Sequence, residues 1–260
     1  MRPGGAAPDN AGMSSSAPAA PLPPTACLRW LALGWQDLRR HPVPGLFHGF
    51  LITAFGAALL LLARDRFWLL AGAFSGFLIV APILATGLYA VSRGLERGQR
   101  LGLGEVAALW RSGDGRLVRF GLLLALAGTG WVLTSAGLIT LASPVPIRAP
   151  VDFIRHIVLA PQVGLFELWL LQGALLAAPV FASTVVALPL LVDRPLPVHQ
   201  AVGASWRAVA TQPVTCGVWA VVIALIVGVA MSLALIGLIV AIPWLAHASW
   251  HAYRDLAGRE

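Results

Sequence analysis

One stretch of this chain, from Val214 to Ala246, runs for 33 residues without an Asp, Glu, Lys or Arg. About 20 helical residues are enough to cross the hydrocarbon core of a bilayer. A single helix over the whole stretch would be about 50 Å long, well beyond the ~30 Å core. The stretch therefore predicts two membrane helices with a tight turn near residues 232–237, the second helix continuing towards Tyr253.

Four further apolar stretches precede this one, and they indicate a chain that crosses the membrane repeatedly. They run over residues 44–63, 68–91, 120–142 and 165–192. Charged residues make up only 11% of the sequence, less than half of the roughly 25% that is typical of soluble domains. The predicted fold class is all-α, a polytopic transmembrane helical bundle with six spans, or five if the last stretch is a single helix.

An internal repeat supports six spans. Trp35 lies seven residues before Pro42, and Trp206 lies seven residues before Pro213, with Val and an apolar stretch following each proline. A second block aligns without gaps, and its matched pairs are Pro82 with Pro243, Leu84 with Leu245, Ala85 with Ala246, Tyr89 with Trp250, Arg93 with Arg254 and Leu95 with Leu256. If the first copy is a two-helix hairpin, the second is expected to be one too.

A short amphipathic stretch precedes each expected hairpin. The apolar residues at helical spacing are Leu28, Leu31, Trp35 and Leu38; Leu103, Val106, Ala107 and Trp110; and Val198, Val202, Trp206 and Val209. This pattern is typical of a helix at the membrane interface. We expect three hairpin units, at about 28–95, 102–193 and 196–256, within a membrane domain at 28–256. Residues 1–27 and 257–260 are expected to be cytoplasmic tails, the first disordered and rich in Pro, Ala and Gly.

The distribution of arginine predicts the orientation. Six spans place Arg64, Arg66, Arg148 and Arg155 on one side and the other fourteen arginines on the opposite side. Because positive loops stay in the cytoplasm, both termini are expected there. Five spans would weaken the division to twelve against six. The expected location is the inner, cytoplasmic membrane of a bacterium.

No catalytic, cofactor-binding or metal site is predicted from the sequence. Glu167 is the only acidic or basic side chain in the five stretches, near the end of one of them, where a satisfied carboxylate is favoured over a transport site. His247 and His251 share a helix face, and His48 is near the start of the first span. We favour hydrogen-bonded interfacial histidines over a haem or metal site. We expect polar groups such as Thr86, Gln172, Ser183 and Thr184 to bond their own or a neighbouring helix.

Several segments resemble a known family of bacterial proteins. They are GWQDLRRHPVPGLFHGF from Gly34, PILATGLYAVSRGLERG from Pro82, LPLLVDRP from Leu188, SWRAV from Ser205 and PWLAHASWHAYRDL from Pro243. Together these are similar to predicted integral membrane proteins catalogued as a domain of unknown function, some of them labelled a putative cytochrome c oxidase subunit. The resemblance implies a six-helix inner-membrane protein without an established activity. The oxidase label would imply an accessory or assembly role beside a respiratory complex.

Two functions are therefore compared. The first is a non-enzymatic accessory, scaffold or assembly factor whose expected partners are the lipid bilayer and other membrane proteins, with no nucleic acid and no cofactor. The alternative is a transporter or channel for an apolar or lipid-like substrate. A filled bundle with an apolar outer groove would favour the first, whereas a cavity lined by Thr86, Gln172 and Thr184 would favour the second. A membrane enzyme ranks third, because no acid, base or nucleophile cluster is evident.

Overall fold

The computed structural model describes residues 21–62, 72–73, 84–111, 114–160 and 164–258, and every regular element in them is helical. Ten α-helices are numbered in chain order: α1 Ala26–Arg40, α2 Pro42–Leu62, α3 Thr86–Glu96, α4 Leu103–Arg111, α5 Gly115–Ala142, α6 Leu165–Thr184, α7 Ala187–Asp193, α8 Val198–Thr211, α9 Pro213–Ser232 and α10 Leu238–Leu256. One α-helical turn, Pro150–Phe153, and one π-helical turn, Ile154–Val158, lie between α5 and α6. The prediction of an all-α fold is confirmed.

Four segments within the described residues are long and apolar enough to cross a membrane. They are Pro42–Leu62, Gly115–Ala142, Leu165–Asp193, which joins α6 to α7, and Pro213–Ser232. Their exposed surfaces carry large apolar side chains, as lipid contact requires. Examples are Phe50 on α2, Leu126 on α5, Leu175 on α6 and Leu225 on α9, all more than half exposed. Most of the stretch predicted at 68–91 lies outside the described residues.

The long apolar run is divided where the sequence predicts. α9 ends at Ser232, residues 233–237 form a turn, and α10 starts at Leu238. Ala234 and Leu235 adopt positive φ angles of 51° and 67° within the turn. A Cβ on Gly237 would lie 2.7 Å from the Ala230 Cα. Glycine therefore allows the end of α9 and the start of α10 to pack closely.

The three amphipathic stretches are helices in the structure, and two of them end in the same way. α1 and α8 are each separated by one residue from the next helix, which begins with Pro42 or Pro213. The linking residues are His41, at φ −145° and ψ 72°, and Gln212, at φ −129° and ψ 49°. A residue before proline is sterically excluded from the helical region, so each proline ends one helix and starts another. The repeat in sequence is thus a repeat in structure here.

α1 and α8 each have two different apolar faces. The stripe recognised in the sequence lies partly on the exposed side, since Trp35 is 41% and Trp206 46% exposed. A second face is buried and carries Trp30 and Gly34 on α1 and the equivalent Ala201 and Ser205 on α8. The side chain of Trp110, on the third amphipathic helix, lies outside the described residues. The helices therefore both pack on the bundle and keep an apolar surface outside.

The amphipathic helices link in a ring the three sequence ranges predicted as hairpins, 28–95, 102–193 and 196–256, which we call units. α4 contacts α3 and α8 contacts α6 and α7, in each case elements of the unit before it, while α1 packs along α10 of the last unit. The contact between α1 and α10 is very close, because a Cβ on Gly34 would lie 2.4 Å from the Ala248 nitrogen. The main core lies between these elements and includes Trp30, Trp219 and Trp250.

The described part of the chain begins before the residue at which the predicted tail ends. The Leu22 backbone N–H donates to the Gln212 side chain at 2.9 Å, and the Thr215 hydroxyl donates to the Leu22 carbonyl at 2.7 Å. α1 itself starts at Ala26, and Cys27 is buried. Residues 1–20, the larger part of the predicted tail, lie outside the described residues.

Candidate functional site

A buried polar cluster joins α1, α3 and α10. The Asp37 carboxylate accepts a hydrogen bond of 2.8 Å from the Ser92 hydroxyl, and His251 Nε2 lies 2.8 Å from the same carboxylate oxygen. His247 Nδ1 lies 2.7 Å from the Ser92 oxygen. Asp37, Ser92 and His247 are all at most 5% exposed. One carboxylate on α1 thereby fixes two helices from different units.

The hydrogen bonds of this cluster assign its protons. An ionised carboxylate can only accept, so both Ser92 and the Nε2–H of His251 donate to Asp37. The single Ser92 proton is then used, and its oxygen accepts from His247 Nδ1–H. The second nitrogen of His247 is left with a lone pair, is buried and has no hydrogen-bond partner among the described residues. The Ser92 hydroxyl is fully buried, and its hydrogen bonds join α3 to α1 and α10.

The cluster lies level with the first two turns of α2. A Cβ on Gly45 would be 3.6 Å from His247 Nε2, and one on Gly49 would be 2.1 Å from the Ile239 carbonyl oxygen. α2 and α10 therefore pack closely and run in opposite directions. The polar half of α10 lies beside α1, and its apolar half lies deeper, beside the middle of α2.

A second polar cluster lies where the ends of α3, α7 and α10 meet. The Tyr253 hydroxyl donates to Asp193 at 2.8 Å, and Arg254 and Arg97 lie 3.8 Å and 3.6 Å from its two oxygens. Arg93 donates to the Val192 carbonyl. Each of the three units contributes to this meeting point, so its charges hold the units together.

The polar residues singled out in the sequence are mostly used locally. Glu167 accepts from the Gly164 backbone N–H at 2.8 Å in the first turn of α6, and Thr184 donates to the Val180 carbonyl at 2.8 Å. Trp206 Nε1 donates to Ser183 at 3.0 Å. Thr86 is 3% exposed. The Gln172 side-chain oxygen is buried without a hydrogen-bond partner in the described part of the chain. None of these residues lines either of the two cavities described below.

The histidines identified in the sequence are partly brought together. His247 and His251 join the first cluster, while His48 Nδ1 lies 2.6 Å from the Pro44 carbonyl on its own helix. Within the described residues, no group of three or more His, Cys, Asp or Glu side chains is arranged to hold a metal ion. The structure thus assigns Asp37 as the partner that organises the histidine pair.

Two cavities differ in chemistry and position. The larger, about 660 Å³, lies between α7, α8 and the end of α10. Arg194, Arg207 and His199 line it together with apolar side chains. The Asp114 side chain helps to hold one wall through Arg116, which donates to the Arg194 and Leu196 carbonyls at 3.1 Å and 3.0 Å. The hydrogen bond from Arg116 also lowers the pKa of the Asp114 carboxyl.

The second cavity is an open groove of about 370 Å³ between α9 and α10. All its lining residues are apolar: Leu225, Ile226, Val229, Ala230, Leu233, Gly237, Val240, Ala241 and Trp244. We call this surface the α9–α10 groove. Its small residues lie beside the turn, where the helices are closest.

Sequence reasoning missed Asp37 and Ser92. Asp37 is seven residues from Trp30 and three from Gly34, on the buried face of α1 rather than on the recognised stripe. An acidic residue on the same helix face as a glycine and a tryptophan could have indicated a buried polar contact between helices. Ser92 carries no comparable signal, because its role depends on contacts 55 and 155 residues away.

The comparisons with known proteins agree with this picture. A family model described as "Predicted integral membrane protein (DUF2189)" matches residues 69–193. The match includes the segment at Pro82 and the first six residues of the segment at Leu188, and it confirms the resemblance. The segments at Gly34, Ser205 and Pro243 lie outside it. No curated protein and no solved structure matches the chain. With the four apolar helices, the match identifies an integral membrane protein of unknown function.

Proposed function

We propose that this chain is a six-span protein of the bacterial inner membrane, with both termini in the cytoplasm, and that it acts without catalysis as an accessory, scaffold or assembly factor. The six spans form three hairpins, each preceded by an interfacial helix. α10, which contributes to both polar clusters, is the last span, and the stretch predicted at 68–91 is the second span of the first hairpin.

The α9–α10 groove carries the functional part of this proposal. It is an apolar depression on the outside of the bundle, and small residues at its base, Ala230, Gly237 and Ala241, allow close approach of another helix. We propose that a transmembrane helix of a partner protein occupies it. A component of a respiratory complex is one such partner.

The polar groups support a structural role. Asp37, Ser92 and the two histidines of α10 bond one another, and Asp193 is surrounded by Tyr253, Arg97 and Arg254. Each group therefore has a role in joining helices.

The decisive experiment is gentle purification of the tagged chain from its native membrane, with mass spectrometry of what accompanies it. Val229→Trp fills the α9–α10 groove, and Val221→Trp places the same side chain on an exposed part of α9 outside it. Val229 is 61% and Val221 57% exposed, so both should fold. We expect a stoichiometric partner with the wild type and Val221→Trp, and its loss with Val229→Trp.

Recovery of the wild type alone, as a monomer or homo-oligomer, would contradict the accessory role. Transfer of a labelled lipid between vesicles by the purified chain would then support the alternative, a transporter for a lipid-like substrate. A partner that is retained by Val229→Trp would move the interface away from the groove.

The orientation has its own test. A reporter that fluoresces only in the cytoplasm is fused after Glu260, and a second reporter, active only outside the cytoplasm, is fused at the same position. Fluorescence from the first is expected because fourteen of the eighteen arginines lie on the side of the C-terminus in the six-span arrangement. Activity of the second reporter would overturn the proposed topology.

A further inference from the structure

The cavity between α7, α8 and the end of α10 is a second candidate site, separate from the α9–α10 groove. We infer that it binds the phosphate group of an anionic phospholipid at the membrane surface. The inference concerns the isolated chain and does not depend on a protein partner. Its volume of about 660 Å³ lies within the usual range for small-molecule sites, roughly 300–1,000 Å³.

The charge of the cavity suits an anion. Arg194, Arg207 and His199 contribute nitrogen donors, and none of the described residues lining it is acidic. Arg207 is exposed, and its guanidinium makes no hydrogen bond or ion pair within the described part of the chain. It is therefore available for a bidentate contact with phosphate.

The carboxylate beside this cavity in the sequence belongs to the second polar cluster. Asp193 accepts from Tyr253 and lies beside Arg254 and Arg97. Arg116 donates to the Arg194 carbonyl and fixes the backbone of one wall. Arg207 lies on the opposite wall, formed by α8, and is the cation that the inference depends on.

The apolar part of the lining and the position of the cavity favour a lipid over a soluble phosphate. Val186, Leu190, Leu196 and Leu256 contribute apolar side chains to the lining. α8, which forms one wall, is an amphipathic helix that ends two residues before α9 enters the membrane at Pro213. Basic pockets at the cytoplasmic ends of membrane helices are where anionic lipid head groups bind.

The test measures thermal stability of the purified full chain in neutral detergent while phosphatidylglycerol is titrated in. Phosphatidylcholine, which has no net charge, and glycerol 3-phosphate, which has no acyl chains, are titrated in parallel. Arg207→Gln removes the cavity cation. Arg40→Gln is the matched control, since Arg40 is an exposed arginine on α1 that does not line the cavity.

We expect phosphatidylglycerol to raise the melting temperature of the wild type and of Arg40→Gln, with no comparable effect of phosphatidylcholine. Arg207→Gln should need about fivefold more phosphatidylglycerol for the same rise, the loss expected for one arginine near a lipid phosphate. An equal rise with glycerol 3-phosphate would overturn the lipid assignment in favour of a soluble phosphate ester. An unchanged response of Arg207→Gln, or an equal loss in Arg40→Gln, would overturn the site itself.

Discussion

The two helices of the last apolar run, α9 and α10, are neighbours in sequence but occupy different environments. α9 carries exposed Val221, Leu225 and Val229 along its length. α10 is surrounded by α1, α2, α3, α7 and α9, and it contains two histidines bound to other side chains. A helix in contact with lipid must be apolar, whereas a helix enclosed by other helices can carry polar groups if each finds a partner.

The close contact of α1 with α10 offers the largest test of this difference. Gly34→Leu would force a side chain into the Ala248 backbone, which a Cβ already approaches to 2.4 Å. We expect the two helices to separate and the protein to lose its folded monodisperse form, measured by size-exclusion chromatography in detergent.

The control for that substitution lies on α9. Gly217 has open space at its Cβ position, so Gly217→Leu should leave the elution profile unchanged. Folded Gly34→Leu protein would show that α10 is not held by this contact. Misfolded Gly217→Leu protein would show that α9 is as enclosed as α10.

The next largest effect is expected at Asp37. Asp37→Ala leaves the Ser92 hydroxyl and His251 without their acceptor in a buried position, which typically costs about 3 kcal/mol. Reversible unfolding in mixed micelles would measure the change in free energy. Asp37→Asn keeps an acceptor oxygen and should recover part of the loss, whereas equal losses in both variants would point to the negative charge itself.

Leucine truncation compares the two helices directly. Leu245 on α10 is 5% exposed and Leu225 on α9 is 62% exposed. Leu245→Ala should leave a cavity and cost about 2 kcal/mol, while Leu225→Ala should change the unfolding free energy by less than about 0.5 kcal/mol. Equal costs in the same unfolding measurement would contradict the assignment of α9 to a lipid-exposed position.

The smallest expected effect concerns the meeting point of the three units. Tyr253→Phe removes one hydrogen bond to Asp193, which keeps Arg254 and Arg97 nearby, so a loss of about 1 kcal/mol is expected. Phe166→Tyr makes the reverse exchange outside this cluster, and it is the control for the effect of one hydroxyl on the unfolding free energy. A loss above about 3 kcal/mol would show that the three units depend on this single bond.

Much of the fold could be predicted because it depends on local properties. The turn after Ser232 and the helical nature of all three amphipathic stretches were predicted from spacing and length alone. The structure adds the breaks before Pro42 and Pro213. Proline restricts its own neighbour and lipid demands apolar residues at every exposed position. These constraints act within one or two helical turns.

The candidate sites were not predictable in this way. His247 and His251 were recognised as a pair, but their partner Asp37 lies more than two hundred residues earlier in the chain. The cavity beside Arg207 requires α7, α8 and the end of α10 to assemble. Neither arrangement has a signature within a single stretch.

The sequence by itself determined which segments can enter lipid and where the long run turns, and it predicts on which side most arginines lie. The free energy of moving residues from water into lipid is nearly a sum over the segment, so composition suffices. Only the tertiary structure decided that α10 is enclosed, that α1 closes the ring of units and that Asp37 binds both Ser92 and His251. Contacts of that kind depend on the shapes of surfaces from distant parts of the chain, which no single stretch contains.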